Sequence, residues 1–141
     1  MKLAYIDSSI WITRVEGSAN YRQILDAKLT SLLQNGWQFC VSDAILLEVL
    51  AKPYKQNHAE LISIYRKIFE KVKRLKTPSD IFVNALLFIQ TEQLNAMDAV
   101  HVAIALHHHC QCMVSTDKHF RDLKAIQQIW IDLLAVPCCI K

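Results

Sequence analysis

The sequence predicts an α/β fold with a mainly parallel sheet covered by helices on both faces. Short apolar runs of strand length alternate with longer segments of helical periodicity. The run Leu3–Ile6 is apolar throughout, which is typical of a parallel strand buried on both faces. The chain has 141 residues, two glycines and three prolines, and neither a repeat nor a linker interrupts it. We therefore predict one domain over residues 1–141.

The first elements follow from this pattern. After the strand over 3–6, apolar residues at helical spacing predict a helix over 21–33. This helix ends at Asn35 and Gly36, because glycine and asparagine are the usual residues just beyond a helix. A second strand is predicted over 38–41.

Two helices are expected next. Ser42 or Asp43 begins a helix that runs through Leu50 and stops before Pro53. The clearest helical pattern in the chain covers 58–75, with apolar residues on one side. The opposite arc of this helix carries five cations: Arg66, Lys67, Lys71, Lys73 and Arg74.

The second half of the chain continues the alternation. A break around Pro78 separates the long helix from the elements that follow. These are helices over 81–91 and 97–108, a strand over 112–115, a helical turn over 118–123 and a last strand over 129–136. The helix over 97–108 is apolar almost all round and is therefore expected to be buried.

Four acids stand at positions where the pattern predicts apolar residues or strand ends. Asp7 follows the first strand, and Asp117 follows the strand over 112–115. Glu48 interrupts a leucine-rich helix, and Asp98 lies in the first turn of the buried helix. Because ligand sites of parallel sheets lie beyond the carboxyl ends of the strands, Asp7 and Asp117 are expected at the same edge.

Converging carboxylates repel one another unless cations neutralise them. Oxygen ligands of this kind suit Mg²⁺ and Mn²⁺, with water and substrate phosphate completing the coordination. Such ions support displacement at phosphorus, because they activate water and neutralise charge on the phosphate. Phosphate sites built on glycine-rich loops are excluded, since Gly17 and Gly36 do not supply such a loop.

Each acid also has an ordinary structural interpretation. Asp98 is compatible with a first-turn acid that the helix dipole favours, and Asp117 with a helix N-cap. Asp7 and Glu48 are harder to explain in this way, because a glutamate among leucines in mid-helix has no local capping role. The four acids together are more specific than any one of them.

Four motifs in order resemble the PIN-domain ribonucleases. They are Asp7-Ser8-Ser9 after the first strand, the helix 42–49 with Glu48, the segment 94–103 with Asp98, and the segment 114–120 with Asp117. The resemblance covers about residues 2 to 135. It implies a PIN-like three-layer α/β/α fold and a metal-dependent endoribonuclease that hydrolyses RNA phosphodiester bonds.

The resemblance also assigns roles to residues. Asp7, Glu48, Asp98 and Asp117 would be the catalytic quartet that binds Mg²⁺ or Mn²⁺, and Ser9 and Ser115 would support it. His119 departs from the pattern, because many relatives carry a further aspartate at this position. Small single-domain members include VapC-type toxins, so the resemblance implies a cognate antitoxin and a homodimer.

Two other functions remain open at this stage. One is a catalytically silent PIN-like module that binds RNA or protein without a metal. The other is a PIN nuclease that acts on DNA or in RNA maturation. No apolar run reaches the roughly 18 residues of a membrane span and no signal peptide is evident, so we expect no membrane association and a cytoplasmic location.

Basic and histidine-rich segments complete the candidates. The five cations over 66–74 are either an RNA contact or a solvated helix face, and the net charge of +3 permits both. The run His107 to His109 is expected to be a polar helix end rather than a zinc site, because consecutive helical side chains point in different directions. His101 either orients the site or packs as an ordinary histidine.

Overall fold

A computed structural model describes residues 2–134. It contains five strands, which are β1 (Lys2–Ile6), β2 (Trp37–Ser42), β3 (Lys73–Leu75), β4 (Cys112–Ser115) and β5 (Gln127–Trp130). The helices are α1 (Ser8–Glu16), α2 (Ala19–Gln34), α3 (Asp43–Lys55), α4 (Ala59–Glu70), α5 (Ile81–Glu92) and α6 (Ala96–His107). A 3-10 turn at Lys118–Phe120 follows β4.

The five strands form one sheet in the order β3-β2-β1-β4-β5, and every pairing is parallel. The chain moves outward from β1 to β3 and then crosses back to place β4 on the other side of β1. Because crossovers are right-handed, this reversal puts α1–α4 and α5–α6 on opposite faces of the sheet. The predicted three-layer α/β/α fold is confirmed, and the reversal point lies between β1 and β4.

The core is centred on the two middle strands and α6. Ala4, Tyr5 and Ile6 of β1 are completely buried, and so are all four residues of β4 to within a few per cent. Every residue of α6 from Asp98 to Ala105 is buried, as its nearly continuous apolar sequence predicts. A polar side chain in this helix therefore requires a partner or a function.

Residues 73–75 are a strand and not part of a helix, so the predicted helix over 58–75 is wrong at its end. Helix α4 ends at Glu70, and β3 pairs in parallel with residues 40–42 of β2. The apolar period continues to Leu75 only because Leu75 is buried in the sheet. Charged residues are typical of such short edge strands, because they hinder pairing with another chain.

Helix α3 also differs from the prediction, because it continues through the buried Pro53 to Lys55. Proline removes a single intrahelical donor, its own nitrogen. The carbonyls of Lys52 and Pro53 still accept bonds from the backbone nitrogens of Gln56, at 3.0 Å, and His58, at 2.9 Å. The last turn therefore remains bonded.

Two further differences concern α1 and β5. Helix α1 was not predicted, because its β-branched residues weaken the helical signal, although Ile10 and Trp11 are buried. Strand β5 begins two residues earlier than predicted and ends at Trp130, while residues 135 and 136 of the predicted strand lie outside the described residues. The turn predicted over 118–123 is confined to Lys118–Phe120. Within residues 2–134, no helix has the length and hydropathy to cross a bilayer.

Candidate metal centre

Asp7 lies at the carboxyl end of β1, where its backbone nitrogen donates to the carbonyl of Val114 in β4 at 3.0 Å. It precedes α1, yet its side chain makes no capping bond to that helix. Instead Oδ2 accepts hydrogen bonds from the hydroxyls of Ser9 and Ser115, each at 2.8 Å. The two serines therefore fix the orientation of a carboxylate that is only 4% exposed.

Asp117 follows β4 and begins the 3-10 turn. Its Oδ1 accepts from the backbone nitrogen of His119 at 2.9 Å, so it has the expected capping role. Its own backbone nitrogen donates to the hydroxyl of Ser115 at 2.9 Å. Ser115 thus connects Asp7 and Asp117 at the point where the strand order reverses, and ligands of parallel sheets bind at such points.

Asp98 is held in place by the start of α6, but one of its carboxylate oxygens lacks a hydrogen-bond partner. Asn95 caps the helix, and its Oδ1 accepts from the backbone nitrogen of Asp98 at 2.9 Å. The residue is 8% exposed, and Oδ2 has no hydrogen-bond partner among the described residues. Burial raises the pKa of Asp98 to about 6, and the neighbouring charges of Asp117 and Asp7 add to the effect.

Glu48 reaches the site from α3 and is oriented by His101 of α6. Oε1 of Glu48 lies 2.6 Å from Nε2 of His101, whose side chain is completely buried. Burial opposes the ionisation of Glu48, but the hydrogen bond and charge of His101 and a hydrogen bond from Ser8 outweigh it and lower the pKa. Glu48 is therefore an ionised acceptor at neutral pH.

A buried polar chain extends from His101 into the sheet. Nδ1 of His101 lies 2.8 Å from the hydroxyl of Tyr5, which lies 2.7 Å from the hydroxyl of Ser42. Burial raises the pKa of Tyr5, so its hydroxyl keeps its proton. Tyr5 and Ser42 were absent from the sequence-based site. The available signal was a tyrosine in an otherwise aliphatic buried strand, since such a hydroxyl requires a partner.

The four predicted acids fall into two groups, each of which includes a histidine. Within each group the ligand atoms lie within 4.8 Å of one another. One group is Asp7, Glu48 and His101, and the other is Asp98, Asp117 and His119. The acids repel one another, and Oδ2 of Asp98 has no hydrogen-bond partner among the described residues. A bound cation would relieve both, so these donors fit a metal ion. Among the described residues, neither group includes the run His107 to His109.

The five predicted RNA-binding cations are distributed over α4, the residue that follows it and β3. The guanidinium of Arg66 on α4 contacts the hydroxyl and ring of Tyr54, and Arg74 on β3 lies 3.7 Å from Asp43. Lys67 and Lys71 line a groove between α1, α2 and α4, together with Trp11, Leu29 and Leu33. Lys73 is exposed on β3. The cations therefore do not share one helical face.

The family of this chain is identified by comparison with known protein families. The PIN-domain family model matches residues 4–126. The chain belongs to the PIN-domain family. That span contains all four acids of the candidate metal centre together with Ser9 and Ser115. No curated protein matches the chain in sequence.

The solved structures similar to this PIN domain include a bacterial toxin and a toxin–antitoxin complex. VapBC2 from Rickettsia felis, bound to a promoter DNA fragment, has a TM-score of 0.71 at 12% identity, covering 92% of this chain and 99% of that one. A toxin–antitoxin complex from Klebsiella pneumoniae has a TM-score of 0.66 at 21% identity, with coverages of 87% and 94%. VapC20 from Mycobacterium tuberculosis, a sarcin-ricin-loop-cleaving toxin, has a TM-score of 0.66 at 13% identity, with coverages of 88% and 98%.

Proposed function

We propose that this PIN domain is a metal-dependent endoribonuclease that hydrolyses RNA phosphodiester bonds as the toxin of a toxin–antitoxin pair. The observation that carries the proposal is the unpartnered, buried Oδ2 of Asp98 beside Asp7 and Asp117. An acid in this state destabilises the ion-free fold. Its presence is therefore better explained by a function than by stability.

Mg²⁺ or Mn²⁺ would be held by Asp7, Asp98 and Asp117, with Glu48 beside them. When bound, the ion supplies charge neutralisation on the phosphate and lowers the pKa of water. Residues of the chain orient the groups that would hold the ion. Ser9 and Ser115 hold the Asp7 carboxylate in one orientation, since their hydroxyls donate to its Oδ2.

Glu48 has a separate role in the proposed reaction. Glu48 is ionised at neutral pH, so it can accept a proton from the attacking water. His101 is a positioning residue, because it acts on Glu48 through a bond of 2.6 Å rather than on the substrate. The Tyr5 hydroxyl in turn fixes the imidazole from the other side.

RNA is proposed to bind through Arg66, Lys67, Lys71, Lys73 and Arg74, whose charges attract phosphates of any sequence. Arg66 and Arg74 already contact Tyr54 and Asp43, so Lys67, Lys71 and Lys73 are expected to contribute more of the affinity. A cytoplasmic location fits such a substrate and is part of the proposal.

An antitoxin and a second copy of the chain are the proposed protein partners. Two of the structural neighbours support the first, because they are VapBC2 and a toxin–antitoxin complex. Helix α5 supports the second, because Phe82, Val83, Leu86 and Leu87 are each more than half exposed and form one apolar patch. Such patches on soluble proteins commonly mark protein interfaces.

The test is cleavage of single-stranded and structured RNA by purified, antitoxin-free protein. We expect cutting with Mn²⁺ or Mg²⁺, none with EDTA, and at least a hundredfold loss in Asp7→Asn, which keeps the shape of the side chain but removes its charge. Asp80→Asn is the control, because Asp80 is exposed at the start of α5 and its side chain makes no capping bond to that helix.

Three outcomes would contradict the proposal. Equal cutting by wild type and Asp7→Asn would show that the site is wrongly assigned. Cutting of DNA in preference to RNA would favour the alternative nuclease. Folded protein that binds RNA but never cuts it, with any metal, would favour the silent binding module.

A further inference from the structure

We propose that His119 is a nitrogen ligand of the metal centre, together with Asp98 and Asp117, and that it makes the site prefer Mn²⁺ over Mg²⁺. This inference rests on the proposed function, because it requires that the acids bind a metal. It concerns the residue at which this chain departs from the acidic pattern of its relatives.

The geometry of the ring supports direct ligation. Nδ1 of His119 lies 3.3 Å from Oδ1 of Asp117 and 3.5 Å from Oδ2 of Asp98. Ligands bonded at about 2.1 Å are about 3.0 Å apart along an octahedral edge and about 3.4 Å apart along a tetrahedral edge. Nδ1 is thus separated from each oxygen as two ligands of one ion would be, and the three residues each offer a ligand atom within 4.8 Å of the others.

The backbone holds His119 at this place. Its nitrogen donates to Oδ1 of Asp117 at 2.9 Å within the 3-10 turn, and Phe120, the next residue, is 1% exposed and anchors the turn in the core. The side chain itself is 67% exposed, so an ion can reach it from solvent. This histidine is therefore positioned by the fold while remaining accessible.

The buried carboxylate oxygen of Asp98 is the second observation that points to a ligand. Oδ2 is inaccessible to solvent, has no hydrogen-bond partner among the described residues, and faces the imidazole. A hydrogen bond from His119 would have satisfied it at a shorter distance. An ion between the two groups would satisfy both.

A nitrogen donor changes which metal the site selects. Mg²⁺ is bound almost entirely through oxygen, whereas imidazole is a common ligand of transition metals. Mn²⁺ accepts both carboxylate and imidazole. A histidine in place of an acid also gives the site one negative charge fewer. This weakens the binding of Mg²⁺ more than that of Mn²⁺, because Mg²⁺ binding is mostly electrostatic.

The experiment is Mn²⁺ binding to the full chain, prepared without a histidine tag and measured by electron paramagnetic resonance. Pulsed measurements detect the coupling between Mn²⁺ and a directly bonded nitrogen, and labelling histidine with nitrogen-15 identifies imidazole as its source. Calorimetric titrations give the ratio of Mn²⁺ to Mg²⁺ affinities. The variants are His119→Ala, His119→Asp and Asp98→Asn, and the control is His107→Ala, at the exposed opposite end of α6.

We expect a nitrogen coupling in wild type and His107→Ala that disappears in both His119 variants. His119→Asp is expected to retain Mn²⁺ binding while its preference for Mn²⁺ over Mg²⁺ falls by about tenfold or more. Asp98→Asn should weaken both metals. Coupling that persists in His119→Ala would assign the nitrogen to another histidine, such as His101, and overturn the inference.

Failure of the inference can be distinguished from failure of the proposed function. Mn²⁺ binding that requires Asp98 but shows no nitrogen coupling would leave the metal centre intact and overturn the assignment of His119 as a ligand. Absence of Mn²⁺ binding in folded wild type would overturn both.

Discussion

Asp98→Asn is expected to stabilise the metal-free protein, because it removes a buried carboxylate whose ionisation the fold disfavours. The pKa of Asp98 is raised from its ordinary value of 3.8 to about 6, mainly through burial. Since each pKa unit corresponds to about 1.4 kcal/mol, ionised Asp98 costs the folded state about 3 kcal/mol. Asparagine has nearly the same shape and does not ionise.

The sign of the pH dependence follows from proton binding. Between pH 4 and pH 6 the folded protein binds this proton more tightly than the unfolded chain does. The free energy of unfolding of the metal-free wild type therefore falls as the pH rises through this range. Asp98→Asn lacks this loss, so the two proteins should be about equally stable at pH 4 and differ by about 3 kcal/mol at pH 8.

Urea unfolding in EDTA, followed by tryptophan fluorescence, measures this difference at both pH values. In thermal unfolding at pH 8, the melting temperature of the variant should be higher than that of wild type by roughly 6–12 °C. Mn²⁺ at a hundred times its dissociation constant for wild type should remove most of this difference, because it adds about 2.7 kcal/mol to the wild type and binds more weakly to the variant.

Asp26→Asn controls for the removal of any carboxylate. Its side chain is 53% exposed and pairs with Arg14, so the change in the free energy of unfolding should be below about 1 kcal/mol. A variant Asp98→Asn that is no more stable than wild type at pH 8 in EDTA would refute the reasoning. It would show that the ion-free fold already neutralises Asp98.

Two further predictions concern residues around the site. Tyr5→Phe should lower the free energy of unfolding by about 1–3 kcal/mol in urea titrations, because it leaves buried polar atoms of Ser42 and His101 without a partner; unchanged stability would contradict the bonded chain. Replacing Lys67 and Lys71 with alanine should weaken RNA binding without altering metal binding. The slope of log affinity against log salt concentration should fall by the equivalent of up to two phosphate contacts. Filter binding at several salt concentrations measures this, and an unchanged slope would remove both lysines from the RNA surface.

The residues of the candidate centre were predictable because acids at strand ends and in apolar helices conflict with their local surroundings. Asp7, Glu48, Asp98 and Asp117 all show this conflict in the sequence. The hydrogen-bond network around these acids was harder to predict from the sequence. Tyr5 and His101 are 96 residues apart, and no local pattern indicates that they share a hydrogen bond.

The fold class followed from the alternation of strands and helices, whereas the elements that depend on distant pairing did not. Strand β3 has three residues and continues an apolar period from α4, so only its pairing with β2 distinguishes it from helix. Helix α1 was missed for the opposite reason: its β-branched residues favour strands locally, while burial of Ile10 and Trp11 favours the helix.

The position of β4 in the sheet has a consequence for the synthesis of the protein. Strand β1 is made first but acquires its neighbour β4 only after more than a hundred residues have been added. A nascent chain that ends at β3 carries Asp7 and Glu48 but neither Asp98 nor Asp117. The complete candidate metal centre therefore cannot form until the last quarter of the chain has emerged and folded.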